Sequence, residues 1–418
     1  MGKPRKEREA PRIQRIELSE KNVKLRWILA GTLLLIGLVA IAIGVNSCIS
    51  AQVGWQEVKA SSNKINCAAD FVLNYQFGET DLNPTAEQRQ VSSCYSQAAV
   101  DAYELFENSV EGSDLRNLTL LAGSPNKTVA VEPELYSALQ QIAESGSRHI
   151  YLAAVYEEYS HVFGASLESQ AVEYDPSKNA ELLPYVQEAA SFANDPAHIG
   201  MELLGEGKVR LVVSDEYLAF AEKYGITCFL DLGWMKNAFI IDFLAQRLVD
   251  AGYTNGYLAS FDGYTRNLDQ RGESYNFNLF DRVNSDIHMP AIMEYAEPMS
   301  IVFLRNFPMS SRDSEQYYLF SDNTIATTFI DPGDGLYKSA TDNLVAYSTK
   351  RGCAAIALEL APVFVADSLD AEAIRDLTKL EIYSVWFDGS KLQHTEERCK
   401  VTLQPVEGIS YQAHYAGN

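Results

Sequence analysis

The residue types that could bind a cofactor gather in two turns of this sequence. Asp231, Gly233 and Lys236 stand between an apolar run and a helical pattern, and Asp331 opens a second turn that reads DPGDG. Glycine lets the backbone approach a ligand closely, and the charged side chains can pair with it. We therefore take Asp231, Gly233, Lys236 and Asp331 as candidate cofactor-binding residues, although turn formation alone also explains the aspartates and the glycine. No residue is singled out as catalytic.

The elements that must position the first turn are a predicted strand over 226–232, an amphipathic helix and a second strand over 257–261. The first run is short, β-branched and aromatic, which favours a strand. Apolar residues then recur at helical spacing, and Gly252 ends the pattern as a C-cap. Further helices are predicted over 96–108, 132–147, 150–164, 215–224, 353–361 and 370–379, and further strands over 208–214, 300–305, 316–320, 324–330, 343–347, 382–387 and 401–404. The mixture predicts one α+β domain.

Four segments carry a family resemblance. Residues 230–233 read LDLG, a helix follows, and residues 251–255 read AGYTN; this unit resembles LDLGG, helix, AGVTN of the ApbE-type FAD:protein FMN transferases. Residues 129–142, 328–335 and 353–364 are similar to three further family segments, VEVSPELYELLERA, HIIDPRTG and ALADALATALFV, in the same order. Together they span about residues 120–370. The chain is identified as a divergent member of this family, with an ApbE-like fold expected over 52–418.

The resemblance implies a chemistry that this chain is poorly equipped to perform. The family transfers FMN from FAD to a Thr or Ser of a target protein, and breaking the pyrophosphate needs Mg²⁺ held by oxygen ligands. The family's metal-binding Asp and Thr fall at Ile356 and Leu360, which cannot bind Mg²⁺. Glu359 lies about 100° away around the helix and is no obvious substitute. The resemblance makes FAD a candidate cofactor and a flavinylated redox protein a candidate partner, but we expect neither Mg²⁺ nor another metal site.

Other family positions are also replaced. The second glycine of LDLGG falls at Trp234, whose indole is expected to occupy ligand space, and the family lysine falls at Asn237. The neighbouring Lys236 is expected to point to another side. A family Gly-Gly-Asp falls at 261–263, and a histidine falls at Thr328. The family residues that remain are Asp231, Gly233, Asp242, Asp331, Pro332 and Gly335.

These replacements favour a protein without transferase activity that serves as a flavin-binding or partner-binding module. The alternative is an active Mg²⁺-dependent transferase that flavinylates an extracytoplasmic redox protein. A third hypothesis is an anchored α+β domain unrelated to the family.

The N-terminal region predicts a membrane anchor. Residues 27–45 form an apolar run that is long enough to cross a bilayer, and residues 1–26 hold nine Lys or Arg and four Glu. The positive-inside rule then predicts a cytoplasmic segment 1–26, a transmembrane helix 27–47 and an external domain 52–418 in the cytoplasmic membrane. A cleaved signal peptide and lipoprotein processing at Cys48 are the alternatives.

Composition excludes several other classes of protein. With a net charge of −22, the chain is not expected to bind nucleic acid, because phosphate recognition needs clustered positive charge. The sequence has no GxSxG, P-loop or GxGxxG motif, and its histidines never adopt the spacing of a zinc site. Among the external cysteines, Cys67 and Cys94 are the pair that we would test first for a disulfide, whereas Cys228 and Cys353 lie in apolar runs.

Overall fold

Strands with alternating burial build most of the body of the protein. The computed structural model describes residues 53–417 apart from 111, 113, 114 and 314, and also residues 31, 32 and 37. The strands are β1 (Gly54–Val58), β2 (Phe71–Phe77), β3 (Thr128–Ala130), β4 (Ile199–Gly205), β5 (Lys208–Val213), β6 (Gly256–Ser260), β7 (Tyr264–Asn267), β8 (Tyr275–Val283), β9 (Asp286–Tyr295), β10 (Met299–Arg305), β11 (Tyr317–Leu319), β12 (Ile325–Thr327), β13 (Asn343–Ser348), β14 (Tyr383–Asp388), β15 (Lys391–His394), β16 (Lys400–Leu403) and β17 (Gln412–Tyr415).

Helices fill the connections, mostly in the first two thirds of the chain. They are α1 (Pro84–Phe106), α2 (Leu118–Ala122), α3 (Pro133–Ser145), α4 (Ala153–Phe163), α5 (Glu168–Tyr174), α6 (Leu183–Asn194), α7 (Asp215–Tyr224), α8 (Lys236–Asp250), α9 (Cys353–Phe364) and α10 (Ala371–Asp376). Short 3₁₀ turns cover Ala68–Asp70, His149–Tyr151, Gly233–Met235, Ser311–Asp313 and Leu377–Leu380. The predicted α+β class is confirmed.

The central element is a nine-stranded sheet in the order β1-β2-β6-β7-β10-β13-β14-β15-β17. Its neighbours pair antiparallel except β15 and β17, which are parallel. Two three-stranded sheets, β16-β9-β8 and β3-β5-β4, and the hairpin β11-β12 complete the strands that the structure describes.

The middle of the nine-stranded sheet is covered on both faces. Along β10, Val302 and Leu304 belong to the large core shared with the helices, whereas Ile301 and Phe303 belong to a second core beneath the sheet β16-β9-β8. This alternation follows from the two-residue period of a strand. Because both faces are buried, β10 reads as a nearly continuous apolar run.

The predicted strand over 226–232 is wrong. The segment is buried but joins no sheet; the Phe229 N–H donates to the Ala122 carbonyl at 3.2 Å and the Asp231 N–H to the Ile150 carbonyl at 2.8 Å. The end of α2 and the 3₁₀ turn His149–Tyr151 therefore satisfy backbone groups that a ladder would otherwise pair. The rest of the unit is confirmed, since α8 is followed by Gly252 in the left-handed region, at φ +81°, and then by β6.

The remaining predicted elements are present, with shifted ends. The helix predicted over 96–108 is the C-terminal half of the longer α1, and the one predicted over 370–379 is α10 followed by a 3₁₀ turn. The hairpin β8–β9 was not predicted, although its sequence alternates and Asn284 turns it at φ +59°.

The five described cysteines are free thiols. Cys67 is buried with its thiol donating to the Ala99 carbonyl at 3.3 Å, while the Cys94 thiol faces the Arg247 carbonyl at 3.7 Å. The pair that the sequence singled out is therefore not joined.

The predicted basic segment 1–26 lies outside the described residues, as does the predicted span 27–47 apart from residues 31, 32 and 37. Within the described part of the chain, no helix combines the length and the apolar character needed to cross a bilayer. The described residues from 53 to 417 form one compact unit.

Candidate functional site

A cleft opens at the start of α8, where the chain passes through the 3₁₀ turn Gly233–Met235. It consists of two adjoining cavities of about 460 and about 570 Å³, which share the residues Gly233, Trp234, Lys236, Glu315 and Thr328. We call the two cavities together the Lys236 cleft, the smaller being its polar lobe and the larger its aromatic lobe. Each cavity alone has the volume of a small-molecule site.

Asp231 and Gly233 form a tight local structure at this cleft. The Asp231 carboxylate accepts hydrogen bonds from the Gly233 N–H at 2.7 Å and from the Asn108 side-chain amide at 2.6 Å. Burial raises the pKa of Asp231, while these two donors and Lys236 oppose the shift. The Asp231 oxygens are therefore engaged by the protein itself.

Gly233 is required by a neighbouring ring. Its φ is +55°, and a Cβ at this position would lie 2.5 Å from two ring atoms of Tyr156. Tyr156 belongs to α4 and lines the aromatic lobe together with Tyr159 and Phe163. The close approach that Gly233 permits is thus made by the Tyr156 ring of the protein itself.

Lys236 lines both lobes, and Asn237 lines the polar lobe beside it. The expectation that Lys236 points to another side than Asn237 is therefore wrong. Its ammonium pairs with Glu107 at 2.8 Å, and both side chains are largely buried. Burial by itself lowers the pKa of Lys236, but Glu107, Asp231 and Asp70 outweigh it and the net shift is upward. The ammonium is therefore charged and already neutralised by carboxylates.

The polar lobe is acidic on its other side. The Asn237 amide donates to one Asp262 oxygen at 3.0 Å, and the remaining side-chain oxygens of Asn237 and Asp262 are buried without a partner in the described structure. Burial raises the pKa of Asp262. Desolvation raises the pKa of Asp70 to about 6, with Lys236 opposing and Asp262 and Glu315 adding to the shift.

Trp234 forms part of the cleft floor. It is 6% exposed, and its ring packs edge-on against Phe329, at 5.2 Å between ring centres, and against His149, at 5.9 Å. The indole has thus been absorbed into the core. Its N–H is buried and finds no acceptor among the described residues.

The positions that the family resemblance assigns to metal ligands lie in the hydrophobic core. Ile356 and Leu360 are fully buried in α9 and line neither lobe. Glu359 is half-buried on the same helix. In the described ranges, no group of three His, Cys, Asp or Glu residues is placed to hold a metal ion.

Asp331 and Asp242 take up structural positions outside the two lobes. The Asp331 carboxylate accepts from the Gly333 N–H at 2.8 Å and pairs with Lys338 at 2.7 Å. Asp242, on α8, accepts hydrogen bonds from the first N–H groups of α9, those of Cys353 at 3.0 Å and Ala354 at 2.9 Å, and pairs with Arg266. Asp242 therefore joins the two helices α8 and α9.

Sequence reasoning missed one wall of the cleft. Asp70 and Glu107 come from the N-terminal region, which resembles no family segment, and Arg312 and Glu315 come from the loop after β10. The only local signal is a charged side chain in a loop, which is common on any surface. These residues reach the cleft through the packing of distant segments.

Comparison with solved structures identifies the architecture. The ApbE protein of Thermotoga maritima superposes with a TM-score of 0.56 at 12% identity, covering 84% of this chain and 97% of its own. The flavin transferase ApbE of Vibrio cholerae superposes with a TM-score of 0.53 at 8% identity and the same coverage. No protein-family model and no curated protein matches the chain in sequence. The likeness confirms the predicted resemblance at the level of fold.

Proposed function

Starting from the fold that this chain shares with the ApbE flavin transferases, we propose that it is a membrane-anchored, extracytoplasmic ApbE-like protein without transferase activity. The observation that carries the proposal is the position of Ile356 and Leu360, fully buried in α9 where the resemblance implies metal ligands. Cleaving the FAD pyrophosphate needs a divalent cation to neutralise the developing charge. Side chains of a sealed apolar core cannot supply the oxygen ligands for that cation.

In place of catalysis, the Lys236 cleft serves as a binding site for a flavin or for a partner. The aromatic lobe offers Tyr156, Tyr159 and Phe163 to a planar ring system. The polar lobe offers Lys236 and Arg312 to a phosphate, although Glu107 neutralises the former. A redox protein that carries a flavin is the partner whose chemistry fits such a cleft.

An active transferase is the second candidate. The carboxylates of Asp70, Asp262 and Glu315 line the polar lobe, and Asp262 and Glu315 add to the rise that burial causes in the pKa of Asp70. Oxygen ligands of this kind suit Mg²⁺, although the three carboxylates are not placed to hold an ion together in the described structure. They belong to different segments from the family's ligands, so activity would require a rebuilt metal site.

The decisive experiment is a transferase assay. The purified protein is incubated with FAD, Mg²⁺ and a threonine-bearing acceptor domain, with the Vibrio cholerae ApbE transferase as the positive control. We expect neither AMP release nor covalent flavin on the acceptor. Product formation above that of a reaction without protein refutes the inactive assignment and establishes the second candidate.

A flavin titration then distinguishes the two binding roles. If the cleft binds FAD, Lys236→Ala weakens binding by about tenfold or more, because a charge-assisted hydrogen bond is worth about 1.5–3 kcal/mol. Lys208→Ala is the matched control, since Lys208 is exposed on the hairpin of β4 and β5 and pairs with the exposed Glu206 at 3.3 Å. If the unmodified protein does not bind FAD, the flavin role is rejected and partner binding is left.

The anchoring part of the proposal has its own test. Residues 27–45 predict a membrane span and the basic residues before them a cytoplasmic N-terminus. We expect the protein in the membrane fraction of cells and its C-terminal domain open to protease added from outside. A soluble protein, or a domain protected from external protease, contradicts this topology.

A further inference from the structure

A cluster of aromatic rings lies where the chain enters the folded domain. Trp55, on the edge strand β1, is 46% exposed, whereas Trp234 and Trp386 are buried. Its ring centre lies 6.1 Å from that of Tyr257 on β6 and 6.0 Å from that of Tyr275 on β8. Rings from three strands of two sheets therefore meet on one surface.

A hydrogen bond and a stacking contact hold one ring of this cluster, Tyr275, in place. Tyr275 stacks on Tyr295 at 5.7 Å, and its hydroxyl donates to Asp269 at 2.5 Å. Asp269 is itself buried and is held by Arg271 at 2.6 Å. Tyr275 is thus held in place, and Trp55 and Tyr257 pack against it within about 6 Å between ring centres.

Exposed aliphatic groups extend the platform. Val53 is 68% exposed and lies beside Gly78, the residue that follows β2, where an added Cβ would come within 2.7 Å of its side chain. Leu82, in the loop between β2 and α1, is 41% exposed. We call the surface formed by Val53, Trp55, Tyr257 and Tyr275 the Trp55 face.

The place of this face in the chain identifies what it meets. The apolar run proposed as the membrane anchor ends at Val45, eight residues before Val53. An extended chain spans at most about 3.6 Å per residue, so a connection of this length is at most about 29 Å long. Tryptophan and tyrosine prefer the boundary between lipid and water, where one end of the ring system is apolar and the other is wet.

We propose that the Trp55 face rests on the lipid surface and thereby orients the domain on the membrane. This inference depends on the proposed anchor. Because the chain carries a net charge of −22, attraction to anionic lipids is not the source of binding. The contact is aromatic and apolar, and zwitterionic phosphatidylcholine is sufficient for it.

The test measures quenching of Trp55 by lipid. The full-length protein is reconstituted into phosphatidylcholine vesicles with and without brominated acyl chains, and the spectrum of Trp55→Phe is subtracted to isolate the Trp55 emission. We expect this emission to be lost in brominated vesicles. Equal emission in both vesicles overturns the proposal, because it places Trp55 in water.

A matched control places the probe at the opposite edge of the sheet. Tyr415, on β17, is 38% exposed and lies eight strand spacings from β1, about 38 Å along the sheet at about 4.8 Å per strand. Tyr415→Trp in the Trp55→Phe background should keep its emission in brominated vesicles. If it is quenched as strongly, the domain has no preferred face and the proposal is wrong.

Two further outcomes distinguish failure of the proposed anchor from failure of the proposed lipid contact. A protein that does not partition into the vesicles refutes the anchor and with it this inference, whereas an anchored protein with unquenched Trp55 refutes the inference alone. If Trp55→Phe instead abolishes self-association of the protein in detergent, the face meets a second copy of the chain and not lipid.

Discussion

Replacing Gly233 with alanine tests whether the backbone at the cleft is held by Tyr156. Gly233 has φ +55°, and a left-handed conformation costs an alanine about 1–2 kcal/mol. The new methyl group would also meet the Tyr156 ring, at 2.5 Å from its Cε2 and Cζ atoms. Because the ring borders the aromatic lobe, it can shift into that cavity, which places the steric part near the lower end of the range for overpacking, about 1 kcal/mol. We expect Gly233→Ala to lower the free energy of unfolding by about 2–3 kcal/mol.

A double-mutant cycle separates the two contributions. Tyr156→Ala removes the ring and by itself costs about 3–5 kcal/mol as a large aromatic truncation. In the double variant, the steric part of the Gly233→Ala effect disappears and the backbone part persists, so the two changes should be non-additive by about 1 kcal/mol. Tyr156→Phe is the mild control, because the Tyr156 hydroxyl is buried without a partner in the described structure and its removal should be nearly neutral.

Urea unfolding followed by circular dichroism provides the free energies, and a flavin titration provides a second readout. A ring displaced into the aromatic lobe reduces the space for a ligand, so any flavin binding should weaken in Gly233→Ala and recover in the double variant. Strict additivity would show that Tyr156 is not the group that requires glycine. A neutral Gly233→Ala would contradict the left-handed backbone itself.

Two further predictions concern the contact of Asp242 between α8 and α9 and the acidity of the cleft. Asp242→Ala removes the cap of α9 and leaves Arg266 without its partner, so it should destabilise the protein by about 2–4 kcal/mol in urea unfolding. Asp242→Asn should destabilise it by about half as much. An Asp242→Ala variant as stable as the unmodified protein would exclude the capping role. For Asp70, the pKa is raised from about 3.8 to about 6 on folding, so the folded state binds the proton more tightly and stability falls as pH rises through this window. Asp70→Asn should flatten this part of the stability curve, and an unchanged slope between pH 4 and 6 would refute the assignment.

The sequence was sufficient for elements whose pattern is local. The helical spacing before Gly252 predicted α8, and the continuous apolar runs predicted β10 and β13. A continuous run is ambiguous, however, because burial on all sides arises equally in a central strand and in an irregular segment of the core. Residues 226–232 are of the second kind: their backbone groups pair with Ala122 and Ile150, and no pattern in the segment itself specifies those partners.

The cleft was predictable only on the side that carries the family unit. Asp231, Gly233 and Lys236 were identified because they follow a recognisable turn, and the structure brings all three to the aromatic lobe. Glu107 was not identified, because its role as the partner of Lys236 exists only after α1 has packed near α8. Asp331 was chosen for its turn, and the ion pair with Lys338 explains that turn without a ligand.

Several side chains at or near the family positions have a structural use in this protein. Tyr156 fills the space beside Gly233, Trp234 packs under the cleft against Phe329, and Leu360 is fully buried in α9. Restoring a single family residue therefore removes a packing contact before it adds a ligand contact. Leu360→Thr, for example, places a hydroxyl in an apolar site without a partner and shrinks a core side chain, which should cost about 2–4 kcal/mol of stability. For this reason, if the protein is inactive as proposed, gaining transferase activity would require several simultaneous changes.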